Sequence, residues 1–319
     1  MFRAALLDDY QHVAMSLADW GSLAPEVEVT AFHDHIDDPD DLVVRLQPFD
    51  CVMLVRERTK FPRTLIERLP NLKLIVSAAM WNVAIDIDAA TAHGVQVCGT
   101  GDLSNATPEL TIGLMLSLAR NIHGESRAVR EGHWQVSLGI AVRGRTLGIL
   151  GLGDIGTQVA GLGRALGMDV IAWSQNLTPA RCAAAGVTYV GKDELMARAD
   201  FLTIHVKLSD RTTGLIKAAD LARMKPVSYL INTSRGPIVD ESALIAALRE
   251  NRIAGAALDV FDREPMLADH PFRKMDNVLV TPHVGYVTAE NYRQIYGDTL
   301  EDIRGFLDGE VIRAMNTLN

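Results

Sequence analysis

Thr146–Gly156, TLGILGLGDIG, is the stretch that decides the fold of this chain. A short apolar run, Leu147–Leu150, leads into a Gly-x-Gly-x-x-Gly turn formed by Gly151, Gly153 and Gly156, and a helical apolar pattern follows. In this context the glycines permit the turn, let the backbone approach a pyrophosphate, and let the helix pack closely on the strand. The helix N-terminus then faces the anion. The stretch therefore predicts a dinucleotide site.

Composition places the chain among ordinary globular proteins and limits its partners. The 319 residues are enough for about two domains, and 48% of them are hydrophobic. The net charge of −9 argues against nucleic acid or an anionic membrane as the main partner, since both require basic surfaces. The three cysteines are far apart and lack metal-ligand spacing, and the N-terminus lacks the apolar core of a signal peptide. We expect a cytoplasmic protein with reduced thiols.

Short apolar runs on both sides of the glycine-rich stretch read as buried strands that alternate with helices. This alternation predicts an α/β fold with parallel sheets. The predicted strands before the stretch are Ala4–Leu7, Val27–Phe32, Cys51–Val55, Leu72–Ser77 and Val95–Val97, and those after it are Val170–Trp173, Phe201–His205, Tyr229–Asn232, Ala256–Val260 and Val278–Thr281.

Two further stretches carry predictions about ligands. His33 and His35 lie among aspartates, and we interpret this region as a solvated acidic loop rather than a metal site. We expect no metal. The loop after the fourth strand contains Ala79, Met80 and Trp81, at the end of a parallel strand where such folds bind ligands. Trp81 is either a core anchor or a wall of the substrate pocket.

The end of strand Val170–Trp173 is expected to meet the adenosine ribose of the cofactor. A carboxylate at this position would bind the ribose hydroxyls and repel a 2′-phosphate, but the chain has Ser174, Gln175 and Asn176. Hydroxyl and amide groups suit either cofactor. NAD is expected, NADP stays possible, and Arg181 is the nearest cation.

Three polar residues stand directly after late strands: Arg235, Glu264 and His283. Reduction of a 2-oxo acid needs such a trio. Arginine has the fork geometry that binds a carboxylate, and histidine is suited to donate a proton near neutral pH. A nearby carboxylate favours the imidazolium and orients the ring. The alternatives are that Arg235 pairs with Asp240, Glu264 is a solvent-facing turn residue and His283 is a loop histidine.

The chain resembles the D-isomer-specific 2-hydroxyacid dehydrogenase family along nearly its whole length. The matching stretches are TLGILGLGDIG, LINTSRGPIVDESAL, AGAALDVFDREP and NVLVTPHVGY. The resemblance implies two doubly wound parallel-sheet domains with a cleft between them. A flavodoxin-like substrate domain is expected at 1–99 and 287–319, and a Rossmann nucleotide-binding domain at 100–286.

The resemblance also implies roles for individual residues. His283 is the expected acid–base, Glu264 its partner, and Arg235 the substrate anchor. The substrate site is expected to include Ala79, Met80, Trp81 and Arg235. The cofactor contacts are expected at Gly151, Gly153, Asp154, Ile155, Gly156, Ser174, Gln175, Asn176, His205, Thr212, Thr233 and Asp259.

The expected activity is hydride transfer between NAD(P)H and a 2-oxo acid, giving a D-2-hydroxy acid, and the reverse. Family members usually form homodimers, and Arg127–Trp134 would suit the interface or pack on its own domain. One alternative is an NADH-sensing, protein-binding regulator like the corepressors of this family. Oxidation of phosphite is another, whereas Glu264 argues against oxidation of formate. In one branch of the family an arginine occupies the place of Trp81, so the substrate loop lacks a possible second cation.

Overall fold

The chain divides into two compact units, Met1–Leu103 with Val287–Asn319, and Ser104–Tyr286. The computed structural model describes residues 1–101, 103 and 105–318. Each unit contains one parallel sheet with helices, so the predicted α/β class is confirmed. No helix among the described residues is both long enough and apolar enough to span a membrane.

The first unit is built on a five-stranded parallel sheet of order β2-β1-β3-β4-β5. Every residue of β3, β4 and β5 is buried, which is why these strands read as continuous apolar runs. The order reverses between β1 and β3, so their carboxyl ends form the switch point where such sheets bind ligands. The strands are β1 (Phe2–Leu6), β2 (Val27–Ala31), β3 (Cys51–Leu54), β4 (Leu74–Ser77) and β5 (Gln96–Gly99).

The helices of the first unit are mostly short. They are α1 (Ala14–Leu17), α2 (Pro39–Leu46), α3 (Arg63–Ile66), α4 (Ile87–Ala92) and, from the end of the chain, α12 (Ala289–Asp308). Asp38 caps α2 by accepting from two backbone N–H groups, and Thr288 caps α12. The tail helix α12 lies within the first compact unit.

An ion cluster around the buried Asp302 connects the C-terminal segment to α12. Arg313 Nε lies 3.1 Å from Asp302 Oδ1, and Arg313 Nη1 lies 3.0 Å from Glu301 Oε2. Asp302 is only 1% exposed. Burial raises the pKa of its carboxyl to about 7, against the opposing charge of Arg313.

The second unit contains a seven-stranded parallel sheet of order β12-β11-β10-β9-β6-β7-β8. Its switch point lies between β6 and β9, and β6 is the strand that leads into the glycine-rich turn. The strands are β6 (Thr146–Leu150), β7 (Asp169–Trp173), β8 (Thr188–Tyr189), β9 (Phe201–Ile204), β10 (Tyr229–Asn232), β11 (Gly255–Leu258) and β12 (Val278–Val280).

The helices of this unit lie against its sheet, and the loops that join them to the strands form the candidate site. They are α5 (Ala106–Arg120), α6 (Ile122–Arg130), α7 (Asp154–Ala165), α8 (Pro179–Ala184), α9 (Lys192–Arg198), α10 (Ala218–Leu221) and α11 (Glu241–Arg249). Asp240 caps α11 by accepting from Ala243 N at 3.0 Å, which confirms the predicted cap.

Candidate active site

The glycine-rich turn has the shape of a pyrophosphate cradle. Gly151 has a φ of +103°, and a Cβ there would lie 2.8 Å from the His205 carbonyl oxygen. A Cβ on Gly156 would lie 2.0 Å from the Gly151 carbonyl oxygen, so only glycine lets α7 start this close to β6. At Gly153, by contrast, an added Cβ would meet no described atom within 4 Å. This open side is where a ligand can approach the backbone.

The start of α7 completes the cradle. Gly153 is the N-cap residue and has no side chain with which to cap the helix. The first N–H groups and the positive end of the helix dipole are thus available to an anion. Asp154 is exposed and Ile155 half-buried in the first turn. These residues fit the pyrophosphate of a dinucleotide.

The remaining predicted cofactor residues lie after β7, β9, β10 and β11. Ser174 is half-buried, Asn176 is exposed, and Gln175 Nε2 donates to the Arg211 carbonyl at 3.3 Å. Thr212 Oγ1 donates to the Lys207 carbonyl at 2.6 Å and so shapes the loop after β9.

His205 and Thr233 are held by threonine hydroxyls. Thr203 Oγ1 lies 2.9 Å from His205 Nε2, and Thr111 Oγ1 lies 2.9 Å from Thr233 Oγ1. Burial lowers the pKa of His205 to about 3, so its imidazole is neutral at physiological pH. Thr111 was not predicted from the sequence, because its partner lies 122 residues away along the chain.

Glu264 and His283 form a direct pair. His283 Nδ1 lies 2.6 Å from Glu264 Oε2, and Glu264 Oε1 accepts from Phe261 N at 2.9 Å. Both side chains are partly buried, at 30% and 16% exposure for glutamate and histidine. Glu264 is thus not simply a solvent-facing turn residue, and His283 is not an isolated loop histidine.

Asp259 builds the loop that carries His283. Its carboxylate is fully buried and accepts from Thr281 Oγ1 at 2.6 Å, Val284 N at 2.8 Å and Gly285 N at 2.8 Å. His283, between these anchors, has a φ of +54°. Burial is the main reason that the pKa of Asp259 is raised. This is a structural role, while the predicted cofactor contact of Asp259 stays a prediction.

Arg235 lies in the neighbouring loop. A Cβ on Gly236 would come within 2.2 Å of the Phe261 backbone. The loop after β10 thus packs tightly against the loop after β11, which contains Phe261 and Glu264. Arg235 is half-buried, and its Nη1 donates to the Ser234 carbonyl at 2.7 Å. The carboxylate of Asp240 caps α11 instead. The loops after β10, β11 and β12 thus bring the predicted trio to one end of the sheet.

The predicted substrate residues lie in the first unit, after β4. Ala79 has a φ of +98°, and its N–H donates to Thr100 Oγ1 at 3.1 Å. Met80 and Trp81 are about half exposed, at 49% and 51%. Trp81 is therefore not a core anchor, and its role as a wall of the substrate pocket stays a prediction.

A cation that the sequence analysis missed lies at the switch point of the same sheet. Arg58 follows β3, its Nη1 donates to the Asp8 carbonyl at 2.8 Å, and its Cζ lies 4.7 Å from the centroid of the Tyr10 ring. Tyr10 donates its hydroxyl to Asp8 Oδ1 at 3.2 Å. The sequence analysis considered a second cation only in the loop after β4, and Arg58 lies outside that loop. The signal was present as two arginines directly after a buried strand.

The two histidines of the acidic loop contact aspartates outside the loop, Asp8 and its neighbour Asp9. His35 Nδ1 lies 2.9 Å from Asp8 Oδ1, and His33 Nδ1 lies 3.2 Å from Asp9 Oδ2. Asp8 and Asp9 are buried, whereas the side chains of Asp34 and Asp37 in the loop itself are 62% and 64% exposed, so the loop's own carboxylates are solvated as the sequence predicts. In the part of the chain that the structure describes, no three acidic, histidine or cysteine side chains are arranged to hold a metal ion.

Fold and site together define a dinucleotide-binding protein of the two-unit α/β type. Residues 112–285 match the family model of the D-isomer specific 2-hydroxyacid dehydrogenase NAD binding domain. The chain belongs to the D-isomer specific 2-hydroxyacid dehydrogenase family, and its second unit is the family's NAD-binding domain.

Relatives and solved structures agree with this family. The D-3-phosphoglycerate dehydrogenase of Synechocystis is 39% identical over 83% of this chain and 48% of its own length. The chain thus spans about half the length of the phosphoglycerate dehydrogenases that it matches. The glyoxylate reductase of Aeropyrum pernix is 38% identical over 77% of both chains. The phosphoglycerate oxidoreductase structure from Vibrio cholerae superposes with a TM-score of 0.93 at 35% identity, covering 97% of this chain and 100% of that chain.

Proposed function

We propose that this protein is an NAD-dependent oxidoreductase that reduces a 2-oxo acid to the D-2-hydroxy acid and catalyses the reverse reaction. The observation that carries the proposal is the 2.6 Å pair of His283 and Glu264, held at the end of the NAD-binding sheet. A bound nicotinamide supplies or accepts the hydride. The remaining tasks fall to side chains of this chain.

His283 donates a proton to the substrate oxygen as the carbonyl is reduced, and takes it back in the reverse direction. Glu264 holds the ring by its Nδ1 atom, which leaves Nε2 to face the substrate. Arg235 binds the substrate carboxylate, because its planar guanidinium matches two carboxylate oxygens. The first unit, including Ala79, Met80 and Trp81, contacts the rest of the substrate.

The test measures the reduction of a panel of 2-oxo acids with NADH and with NADPH. The readout is the decrease in absorbance of the reduced cofactor. Glyoxylate and phosphohydroxypyruvate belong in the panel, because relatives are named for glyoxylate and phosphoglycerate. Pyruvate, hydroxypyruvate, branched and aromatic acids complete it. The proposal is supported if the wild-type protein turns over a 2-oxo acid and the His283→Ala variant does not. Turnover that survives in His283→Ala would contradict it.

We also propose that two copies associate through the segment after α6. This segment exposes Trp134 (77%), Val136 (55%) and Leu138 (98%). It is held in place, since Ser137 N donates to Glu125 Oε1 at 2.7 Å and Ile140 N donates to the Ala119 carbonyl at 2.7 Å. Exposed apolar side chains on a fixed segment are typical of protein interfaces. Light scattering should give the mass of a dimer, and Leu138→Glu should give a monomer.

The proposed setting is the cytoplasm, with a small acid as substrate and no nucleic-acid partner. Cys51, Cys98 and Cys182 are all free thiols in the structure and all are buried, which suits a reducing compartment. The net charge of −9 disfavours binding to nucleic acid.

A further inference from the structure

The C-terminal segment, residues 313–316, runs antiparallel along β5, the edge strand of the first sheet. Gly99 N donates to the Arg313 carbonyl at 3.0 Å, and Met315 N donates to the Val97 carbonyl at 2.8 Å. An antiparallel bridge lies between these two bonds. The segment therefore pairs with backbone groups that an edge strand would otherwise expose.

Side chains anchor both ends of this segment. Asn316 Oδ1 accepts from Val97 N at 2.7 Å, and Asn316 Nδ2 donates to the Val95 carbonyl at 3.0 Å. At the other end, Arg313 Nη2 donates to the Asp298 carbonyl at 2.8 Å, in addition to the ion cluster described above. The residues between these anchors are thus fixed against β5.

Met315 lies beside the substrate loop, residues 79–81, which follows β4. A Cβ on Gly99 would lie 2.7 Å from the Ala79 carbonyl oxygen and 2.8 Å from Met80 Cα. The same Cβ would lie 2.9 Å from Met315 Sδ. The thioether and the backbone of the loop therefore meet at one point of β5, where glycine leaves room for both.

We propose that Met315 is a positioning residue, which holds the substrate loop in the place where the loop binds the acid. The inference rests on the proposed function, in which this loop contacts the substrate. Ala79 N donates to Thr100 Oγ1, whereas Met80 and Trp81 are about half exposed and so bury little of their own surface. What packs against the backbone of the loop therefore determines where the loop lies. A smaller residue at 315 would leave a space beside Met80 into which the loop can move.

The first measurement is steady-state kinetics on the best 2-oxo acid of the panel. Met315→Ala is expected to raise the KM for the acid by about tenfold, because a displaced loop binds the substrate less well. The kcat should stay within about twofold of the wild-type value, since His283 and Glu264 lie in the other unit. Met315→Leu has a side chain of similar volume and should restore the KM.

The second measurement needs no turnover. The fluorescence of Trp81 is obtained as the difference between each protein and the same protein with Trp81→Phe, and its quenching by acrylamide reports the exposure of the loop. Met315→Ala should change the quenching constant of Trp81, and Met315→Leu should keep it. If Met315→Ala does not melt cooperatively, Met315→Val is used in its place.

Phe32→Leu is the matched control. Phe32 is also a partly buried apolar residue packed on the core of the first unit, but it follows β2, at the edge of the sheet opposite to β5. This variant should keep both the KM and the quenching constant of Trp81. Thermal melting of each variant measures its loss of stability.

The proposal requires both changes in Met315→Ala, so an unchanged KM or an unchanged quenching constant would overturn it. Equal changes in Phe32→Leu would overturn it as well, because they would show an effect of general stability. A protein that reduces no 2-oxo acid would contradict the proposed function. In that case the quenching comparison still tests whether Met315 holds the loop.

Discussion

The Nδ1 atom of His283 lies 2.6 Å from Glu264 Oε2, and the other oxygen of Glu264 is fixed by the Phe261 N–H. The glutamate is thus held from both sides, so it fixes the plane and the tautomer of the imidazole. A second pair of the same kind lies elsewhere in this unit, where His270 Nε2 is 3.1 Å from Glu241 Oε1.

Glu264→Gln is expected to lower kcat by about tenfold or more, because an amide orients the ring less well and does not stabilise its positive charge. NADH affinity, measured by fluorescence titration, should change little. Glu241→Gln, which alters the second glutamate–histidine pair, serves as the control and should keep kcat. Equal losses in the two variants would contradict the special role of Glu264.

Arg235→Lys is expected to raise the KM for the 2-oxo acid by about tenfold or more, since an ammonium cannot form the bidentate pair with a carboxylate. Steady-state kinetics on the best acid of the panel measure this change. Arg223→Lys is the control, since Arg223 is an exposed arginine of the same unit whose Nη1 donates to the Ala219 carbonyl. An unchanged KM in Arg235→Lys would contradict the proposed role of Arg235 in binding the substrate carboxylate.

Gly156→Ala is expected to lower the melting temperature and weaken NADH binding, because its Cβ would lie 2.0 Å from the Gly151 carbonyl oxygen. Gly161→Ala tests the same change in the same helix, where an added Cβ would meet no described atom within 4 Å. Alanine there should stabilise the helix by up to about 1 kcal/mol. Calorimetry and NADH titration distinguish the two, and similar behaviour of both variants would contradict the close helix–strand packing.

The buried carboxyl of Asp302 predicts a pH dependence in the first unit. Its pKa of about 7 lies above the ordinary value of 3.8, so the folded state holds the proton more tightly than the unfolded state. The contribution of this group to stability is therefore full below about pH 4 and is lost as the pH rises through 7, at no more than about 1.4 kcal/mol per pH unit.

Asp302→Asn cannot titrate at this position, so the melting temperature of the variant relative to the wild-type protein should rise between pH 5 and pH 8. Glu301→Gln changes a more exposed partner of Arg313 and should show a much smaller relative change. A constant difference between Asp302→Asn and the wild-type protein over this range would contradict the raised pKa.

The sheets were predictable because most of their strands are buried on both faces. Cys51–Leu54 and Phe201–Ile204, for example, are entirely buried and read as apolar runs. The edge strand Thr188–Tyr189 was not predicted, since both residues are exposed and the strand is two residues long. Four-residue helices such as Arg63–Ile66 were missed because they contain too few residues to show a helical period.

The site was predictable only in part. Position after a strand identified Arg235, Glu264 and His283, because the chain order of parallel strands places such residues at one end of the sheet. The structural role of Asp259 depends on hydrogen bonds to residues 22 to 26 positions away along the chain, and the sequence gives no direct signal for these contacts. The exposure of Trp81 was also not predictable from the sequence, since an aromatic residue in a loop can lie either in the core or at the surface.

The three hydrogen bonds of Asp259 have a consequence for how this protein can evolve. They connect Asp259 only to residues of its own unit, as does the bond between Glu264 and His283. The position of His283, the proposed proton donor, is accordingly fixed by contacts within this unit alone. Under the proposed function, substitutions outside the loops after β10, β11 and β12 can alter substrate preference without disturbing the histidine–glutamate pair, so new preferences can evolve in small steps.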